Sequence, residues 1–501
     1  MDQPRPRAIQ PVQILSGFGR VLDISRTDDS FKILHHTEPV VKIDVFVSHV
    51  WGSNPKMRYL GVLWYFNSVP SSLFAVLFSI LASLIFRQLY NERQLYMLEV
   101  ISKLSMQALT ALYGTIVWVA CFVLMQNVRH SIGIAAEACF LDRCCIDQVD
   151  RVEKEKGVGR IPWILSRSNR LLVLMSDRYF ERLWCCYELA VFKSLDGEPS
   201  RRDFKSAVTF IPLQAVGLTI LMMFFDLLSM LLFRSDIRLS AARGGESSFR
   251  LISIAFSLVT AVLVYYFSYV WYWNLHKQEE RLRNFSLAST HCSDSKDQEW
   301  LLADIEKRFD GLHNFEKYVQ TQLVLEIGTS RPKLQNLWLI ALPSLLGVVA
   351  YIVILPQRLG LYCMAEFELS FVPKDDSFCS IIARDKELNY LVIGSHVIRF
   401  FCYYPVVIQL ALLLCQFVEK FIRTGASASL IGKWTIHACG VSAMALLLYF
   451  ENKGHASESV YIYHVATSST LVGLFVLLYG LPFLKRKYAQ HSTASAYRKQ
   501  E

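Results

Sequence analysis

Two apolar runs, Val69–Phe86 and Leu104–Met125, interrupt a stretch whose flanks read as the halves of one α/β unit. Each run is long enough to cross a bilayer core of roughly 30 Å. Two crossings return the chain to the side it left, so the flanking halves can meet again. The first flank reads as a strand, Val40–Ser48, closed by the turn at His49–Gly52 and followed by a helix over Lys56–Asn67. The second opens with a strand-like run, Ala138–Leu141, and a charged loop, Asp142–Gly159. A helix over Ile161–Ser168, a buried-strand run at Arg170–Ser176, a helix over Glu181–Ser194 and a last strand at Lys205–Leu213 follow. This alternation predicts a parallel sheet with helices against it. Ligands of such sheets bind beyond the carboxyl ends of the strands, so Ser48, Asp142 and Ser176 are expected at one rim. So short a sheet leaves an open edge that another segment must cover.

The rest of the chain is more apolar than a soluble domain. Of 501 residues 53% are hydrophobic and 19% charged, and the apolar excess is clustered. Six further runs stand out: Gln214–Phe233, Leu251–Trp273, Asn336–Leu355, Leu391–Phe417, Trp434–Phe450 and Tyr461–Leu484. The expected architecture is an all-α polytopic bundle of about eight transmembrane helices, with the first two runs the weakest because Ser and Gln interrupt them. It carries a split α/β domain in two parts, 40–67 and 126–213, around a hairpin of spans at 69–125. A second hairpin occupies 214–273, a soluble helical segment 274–335 and the remaining spans 336–484. Residues 1–39 read as a flexible tail and 485–501 as a basic one. No N-terminal apolar segment resembles a cleavable signal, so the first span would act as the anchor.

Charge orients this arrangement. Lys485-Arg-Lys487 follows the last run, whereas the loop Glu451–Glu458 on the opposite side carries only Lys453. The bias predicts that both termini and the split domain face the cytosol. The net charge of +9 reads as this asymmetry. No basic stripe interleaved with aromatics points to nucleic acid, so the lipid bilayer is the expected partner. The adjacent pairs Cys144-Cys145 and Cys185-Cys186 lack the two-residue gap of zinc sites, and no metal centre is expected. Cys363 and Cys379 fall in or beside an outside loop, where a disulfide and two free thiols are equal alternatives.

Two further features stand apart. Trp300, Leu301, Ile305, Phe309, Leu312, Phe315 and Val319 mark an amphipathic helix broken near Gly311. It either packs on the α/β domain or lies on the membrane surface, and its broad apolar side favours the domain. Asp226 and Arg399 lie inside spans, where an unpaired charge is costly. Both sit roughly 10–12 Å below the outer surface at 1.5 Å per residue. They are expected to pair or to share a cluster with His396, either as an ion pair that sets helix packing or as part of a solute path.

The run Asp44-Val-Phe-Val-Ser48 and the spaced set Ser176, Tyr179, Trp184, Cys185, Glu188 and Leu189 resemble the Toll/interleukin-1 receptor (TIR) domain family. They match its strand pattern D-[VI]-F-[IV]-S and its S-x-x-Y-x-x-S-x-W-C-x-x-E-L, with Arg182 in place of the second Ser. Ala138–Asp142 looks like the family's second strand, which makes Arg143–Gly159 its BB loop. Asp142–Gln148 is also similar to the D-x-x-C-I-N-Q motif of fungal heterokaryon-incompatibility domains. The resemblance implies a flavodoxin-like α/β fold. Membrane spans inside the domain depart from the family pattern.

Family members act as scaffolds that self-associate, or as enzymes that cleave NAD at its nicotinamide–ribose bond. The resemblance implies Glu188 as the catalytic carboxylate and Phe46, Ser48, Asp142, Ser176 and Trp184 as ligand contacts. NAD would then be a substrate, with no cofactor required. The simpler reading of Glu188 is a helix-surface or ion-paired residue, of Trp184 core packing, of Ser176 a cap, and of His49 a surface turn. Three functions follow for test: a signalling scaffold assembling with itself or other TIR-like domains, an NAD glycohydrolase, and a channel or transporter with a regulatory α/β domain.

Overall fold

Residues 5–23, within the segment expected as a flexible tail, are folded. In the computed structural model, which describes residues 5–23, 37–91, 106–195, 204–224, 276–292, 294–327 and a few single positions, β1 (Arg7–Ala8) pairs antiparallel with β2 (Glu38–Pro39). Ile9 then exchanges two backbone hydrogen bonds, 2.8 and 2.9 Å, with Cys139. Helix α1 (Pro11–Gly19) follows, with Gln10 and Gln13 forming a reciprocal cap. Ile14 and Leu22 are fully buried. The apolar residues here are too irregularly spaced to show a period, which is why the segment reads as a tail. Their burial covers the sheet edge that the sequence leaves open. Deleting residues 1–23 should therefore expose that edge and its apolar neighbours, and size-exclusion chromatography should show aggregation in place of the wild-type peak.

The chain divides into two units. The first comprises Met1–Ser71, Val119–Leu218 and Trp273–Pro332, the second Ser72–Trp118, Thr219–Tyr272 and Lys333–Glu501. At the centre of the first is a parallel sheet of β3 (Ile43–His49), β4 (Cys139–Phe140), β5 (Ser168–Met175) and β6 (Val208–Pro212), in the order β4-β3-β5-β6. Val45 pairs with Cys139, and Val47 with Leu172. Residues from before and after the apolar hairpin thus share one sheet, as the sequence predicts. Taken in chain order the strands lie 2-1-3-4. Ile43, Val45, Phe46 and Val47 are all buried, the pattern of a strand covered on both faces.

Helix α2 (Pro55–Asn91) merges the predicted Lys56–Asn67 helix and the first apolar run into one element, despite Pro70 inside it. Asn54 starts it by accepting from Lys56 N at 2.9 Å, with Pro55 at the first position. Helix α3 (Met106–Ser131) covers the second run. Both are long and apolar enough to cross a membrane. Their polarity is ordered opposite to that of helices in water. Leu73, Leu77, Leu81, Leu84 and Ile116 are exposed, while Ser71, Ala75, Ser79, Ser83, Thr110 and Thr115 are buried. Ser71, Ala75, Ser79 and Ser83 recur every fourth residue, so the Ser interruptions are one inward stripe of small side chains. A Cβ at Gly114 would collide with Ser79 Oγ and the Leu346 side chain, so in the second unit these side chains pack directly on the α3 backbone. In the first unit, Asn67 donates to Phe122 O at 2.8 Å and accepts from Gln126 Nε2 at 2.6 Å.

The stretch expected as a charged loop, Asp142–Gly159, is instead largely helical, as α4 (Asp142–Cys145) and α5 (Arg151–Gly159). Asp150 caps α5 by accepting from Val152 N and Glu153 N. No residue of α5 is buried, so nothing apolar signals it in the sequence. Helices α6 (Ile161–Ser166) and α7 (Leu183–Ser194) stand where expected. The last strand, predicted over Lys205–Leu213, is divided into α8 (Phe204–Ala207) and β6. An apolar helix α9 (Leu213–Phe224) follows. Most of the runs at 225–233, 251–273 and 336–484, and with them Asp226, Cys363, Cys379, His396 and Arg399, lie outside the described residues.

After a helix α10 at 276–283, the amphipathic segment forms α11 (Ser295–Phe309) and α12 (Leu312–Tyr318). The break is where the sequence places it, with Asp310 at φ 54° and Gly311 at φ 129°. Leu301 and Ile305 are fully buried. Tyr187 on α7 donates to Asp304 at 2.7 Å. The segment therefore packs on the α/β domain, the favoured alternative.

Candidate active site at the strand ends

In the 2-1-3-4 order the chain reverses direction between β3 and β5, and their carboxyl ends form the crevice where such sheets bind ligands. Beside it Ser48, the penultimate residue of β3, meets Tyr179 from the turn after β5, with 2.6 Å between their hydroxyl oxygens. Ser48 also hydrogen-bonds the carboxylate of Glu188 on α7. Glu188 is half-buried as a residue while its carboxyl is enclosed. That enclosure pushes its pKa up to about 8, against the hydrogen bond from Ser48, and the nearby Asp142 charge adds to the rise. Burial raises the Tyr179 phenol well above its usual range. A chain of three groups thus runs from a neutral phenol through a hydroxyl to a carboxyl that is largely protonated at neutral pH.

A second cluster adjoins it. Trp51 Nε1 donates to Asp142 at 2.8 Å, and the Arg143 amide donates to the other carboxylate oxygen at 2.7 Å. Burial raises the Asp142 pKa, against Trp51 and the two nearby arginines. Arg58, 1% exposed, lies with its guanidinium 5.3 Å from the Trp51 ring centre. His49 is not in a surface turn. It is buried at the end of β3, 4.1 Å from Trp51 between ring centres. Burial, helped by Arg58, holds it down to about 3, so it is neutral.

The residues expected together at one rim separate. Ser48 and Glu188 meet and Asp142 is close. Phe46 is 1% exposed and stacks on Phe140 at 5.0 Å, so it is core and offers no face to a ligand. Ser176 does not cap the next segment through its side chain, and among the described residues its buried hydroxyl has no hydrogen-bond partner. It lines a separate cavity of about 380 Å³ with Asp177, Phe180, Gln278 and Arg281. Trp184 packs edge-on against Trp300 at 5.5 Å and Tyr187 at 5.9 Å. It is partly buried.

Sequence reasoning left Tyr179, Trp51, Arg58 and Arg143 without a role. Arg58 carried a signal, since it stands four residues before Val62 and eight before Phe66 on the buried stripe of α2. Tyr179 belongs to the spaced set that also contains Ser176 and Glu188, and nothing local distinguishes Trp51 and Arg143. Among the described residues, no group of three or more His, Cys, Asp or Glu could hold a metal ion.

Fold and cluster together define a parallel α/β domain, interrupted in sequence by a helical hairpin, with a buried acid at its strand ends. The chain matches no protein-family model, no curated protein and no solved structure.

Proposed function

We propose that this is a multi-pass membrane protein of about eight spans with both termini cytosolic. Its split TIR-like domain would signal by self-association or by binding other TIR-like domains, and Glu188 would be the carboxylate for cleaving NAD. The observation that supports this reading is the meeting of Ser48 and Glu188. They come from opposite sides of the apolar hairpin, and they belong to the two motifs that resemble the family. The apolar outer faces of α2 and α3 support the membrane assignment, and the charge of the short loops supports the orientation.

The chemistry is a water-consuming cleavage. The anomeric carbon–nitrogen bond breaks with its electron pair leaving on nicotinamide, and water adds to the ribosyl cation and yields its proton. A carboxylate beside the ribose stabilises that cation, as carboxylates do in glycoside cleavage. A positively charged nicotinamide ring entering the site would draw Glu188 into the ionised form.

Purified protein incubated with NAD should release nicotinamide, and Glu188→Gln should reduce the rate at least about 100-fold. Absence of turnover even in clustered protein would remove the enzyme reading and leave the scaffold. For the scaffold, reversing Lys154 and Lys156 to Glu should weaken self-association measured by light scattering. Because no residue of α5 is buried, the same variant should melt with the wild type. Unchanged assembly would exclude this helix as the contact. Orientation has its own check. Asn284, in the sequon Asn284-Phe-Ser286, is exposed, yet on the cytosolic side it should stay unmodified. A glycan there, seen as a glycosidase-sensitive shift on a gel, would overturn the topology.

A further inference from the structure

The turn that delivers Tyr179 to the site is held from outside more than by itself. Between β5 and α7 it makes one 3-10 turn, Tyr179–Glu181, with local hydrogen bonds such as Tyr179 N to Ser176 O at 3.1 Å. Its remaining anchors come from two other segments. Gln214, at the start of α9, donates to Asp177 Oδ2 at 2.8 Å. Arg281, on α10, donates to the Asp177 carbonyl and pairs with the Glu181 carboxylate at 3.7 Å. The chain after α10 adds a backbone bridge, His291 N to Glu181 O at 2.7 Å, and an edge-on contact of Phe285 with Phe180 at 6.2 Å. Phe180 in turn lies 5.1 Å from Tyr179.

Between the turn and α10 lies the cavity of about 380 Å³, which leaves room for one to shift against the other. Ser176 Oγ and Gln278 Oε1, on residues lining that cavity, are buried without hydrogen-bond partners among the described residues. Buried polar atoms of this kind are costly where they stand. A displaced arrangement therefore has unmet donors and acceptors available to it.

We propose that the turn Ser176–Arg182 is a coupling element, in which displacement of the helices carrying Gln214 and Arg281 passes through Asp177 to Tyr179 and so to Ser48 and Glu188. Asp177 is then a positioning residue, and α9 and α10 regulate the strand-end site. This rests on the proposed reading of that site, and on reading the runs at 214–233 and 251–273 as membrane spans. Under that reading, Gln214 and Arg281 stand at the cytosolic ends of spans three and four. Shifts of 1–2 Å of such helices are the usual size of switching motions, and a phenol held by a 2.6 Å contact with Ser48 and a longer one, 3.4 Å, to Cys185 O is sensitive to them.

The test is the pH dependence of melting of the full chain in lipid nanodiscs. The ionisable groups about Glu188 and the cysteines of its helix are Asp142 after β4, Tyr179 and Arg182 in the turn, and Cys185 and Cys186 on α7, with His49 next to Ser48 on β3. Between pH 6.5 and 8 Glu188, held at about 8, changes charge, whereas His49, held down to about 3, and Tyr179, Cys185 and Cys186, pushed up by burial, keep theirs. The wild type should lose melting temperature over that interval, and Glu188→Gln should not. Arg281→Ala combined with Gln214→Ala should release Tyr179, admit water to the carboxyl and move its titration below pH 6.5. The fall should then shrink to less than half, with recovery in Arg281→Lys. A purely structural role would lower melting equally at both pH values, and an unchanged fall would overturn the proposal. If the double variant does not fold, Gln214→Ala alone is read by the same criterion. A wild type with no fall would instead remove the buried acid, and with it the site reading on which the coupling rests.

Discussion

Arg58→Ala should cost about 3–5 kcal/mol of stability, as expected when one member of a buried charge network is removed. The guanidinium donates to Val50 O at 2.9 Å, Trp51 O at 3.1 Å and Leu22 O at 2.5 Å. It thereby ties the end of β3 and the start of α2 to the N-terminal segment. Its burial lowers its pKa to about 10, although Asp142 and Asp23 oppose the shift. Truncation leaves these carbonyls without their donor and Asp142 short of a nearby positive charge. Arg58→Lys should recover only part of the loss, because one ammonium cannot span acceptors that a planar fork reaches together. Thermal unfolding measures the size of the effect. Limited proteolysis measures its direction: Arg58→Ala should free residues 5–23 for cleavage before the sheet is attacked. Cleavage at the wild-type rate would show that Arg58 is not the tie.

The second large effect is a stability plateau in pH set by two buried groups of opposite sense. Glu188 has its pKa raised from 4.5 to about 8. The native state therefore holds a proton that the unfolded chain has released. Its contribution is complete below pH 4.5 and is lost as pH rises to about 8, about 5 kcal/mol at most. His49 is lowered from 6.5 to about 3, so the unfolded chain binds a proton that the native state refuses. That contribution is complete above pH 6.5 and is lost as pH falls toward 3. Between pH 4.5 and 6.5 the two slopes cancel, and stability should fall away on both sides. Glu188→Gln should remove the alkaline fall and extend the acid fall up to pH 6.5, and His49→Phe should remove the acid fall and extend the alkaline fall down to pH 4.5. Denaturant midpoints across pH 3–9 would check both, and a single variant that flattened both sides would refute the assignment.

How far such sites are legible depends on where their partners lie in the chain. The motif Ser176, Tyr179, Trp184, Cys185 and Glu188 is continuous enough to point to α7 and its acid. The same motif does not say that Trp184 turns to Trp300 while Glu188 turns to Ser48. That outcome depends on α11, which lies more than 100 residues further on. Phe46 looks identical in sequence whether its ring faces a ligand or Phe140. Helix α5 was hidden because it buries nothing, so no apolar period betrays it. The N-terminal segment was hidden because its few apolar contacts are long-range.

The sequence by itself determined the elements whose cause is local or periodic. These are the strands β3 and β5 with their apolar runs, the apolar runs that become parts of α2 and α3, and the break near Gly311. Only the tertiary structure decided which face of each element is inside. It turned the Ser residues of α2 from interruptions into an inward stripe, sent Arg58 and His49 into the interior, and assigned Ile9 to cover the open edge. The physical reason is that burial is a property of pairs of segments. The cost of enclosing Glu188, His49 and Arg58 exists only once Ser48, Tyr179, Trp51 and Leu22 have come from distant parts of the chain to surround them.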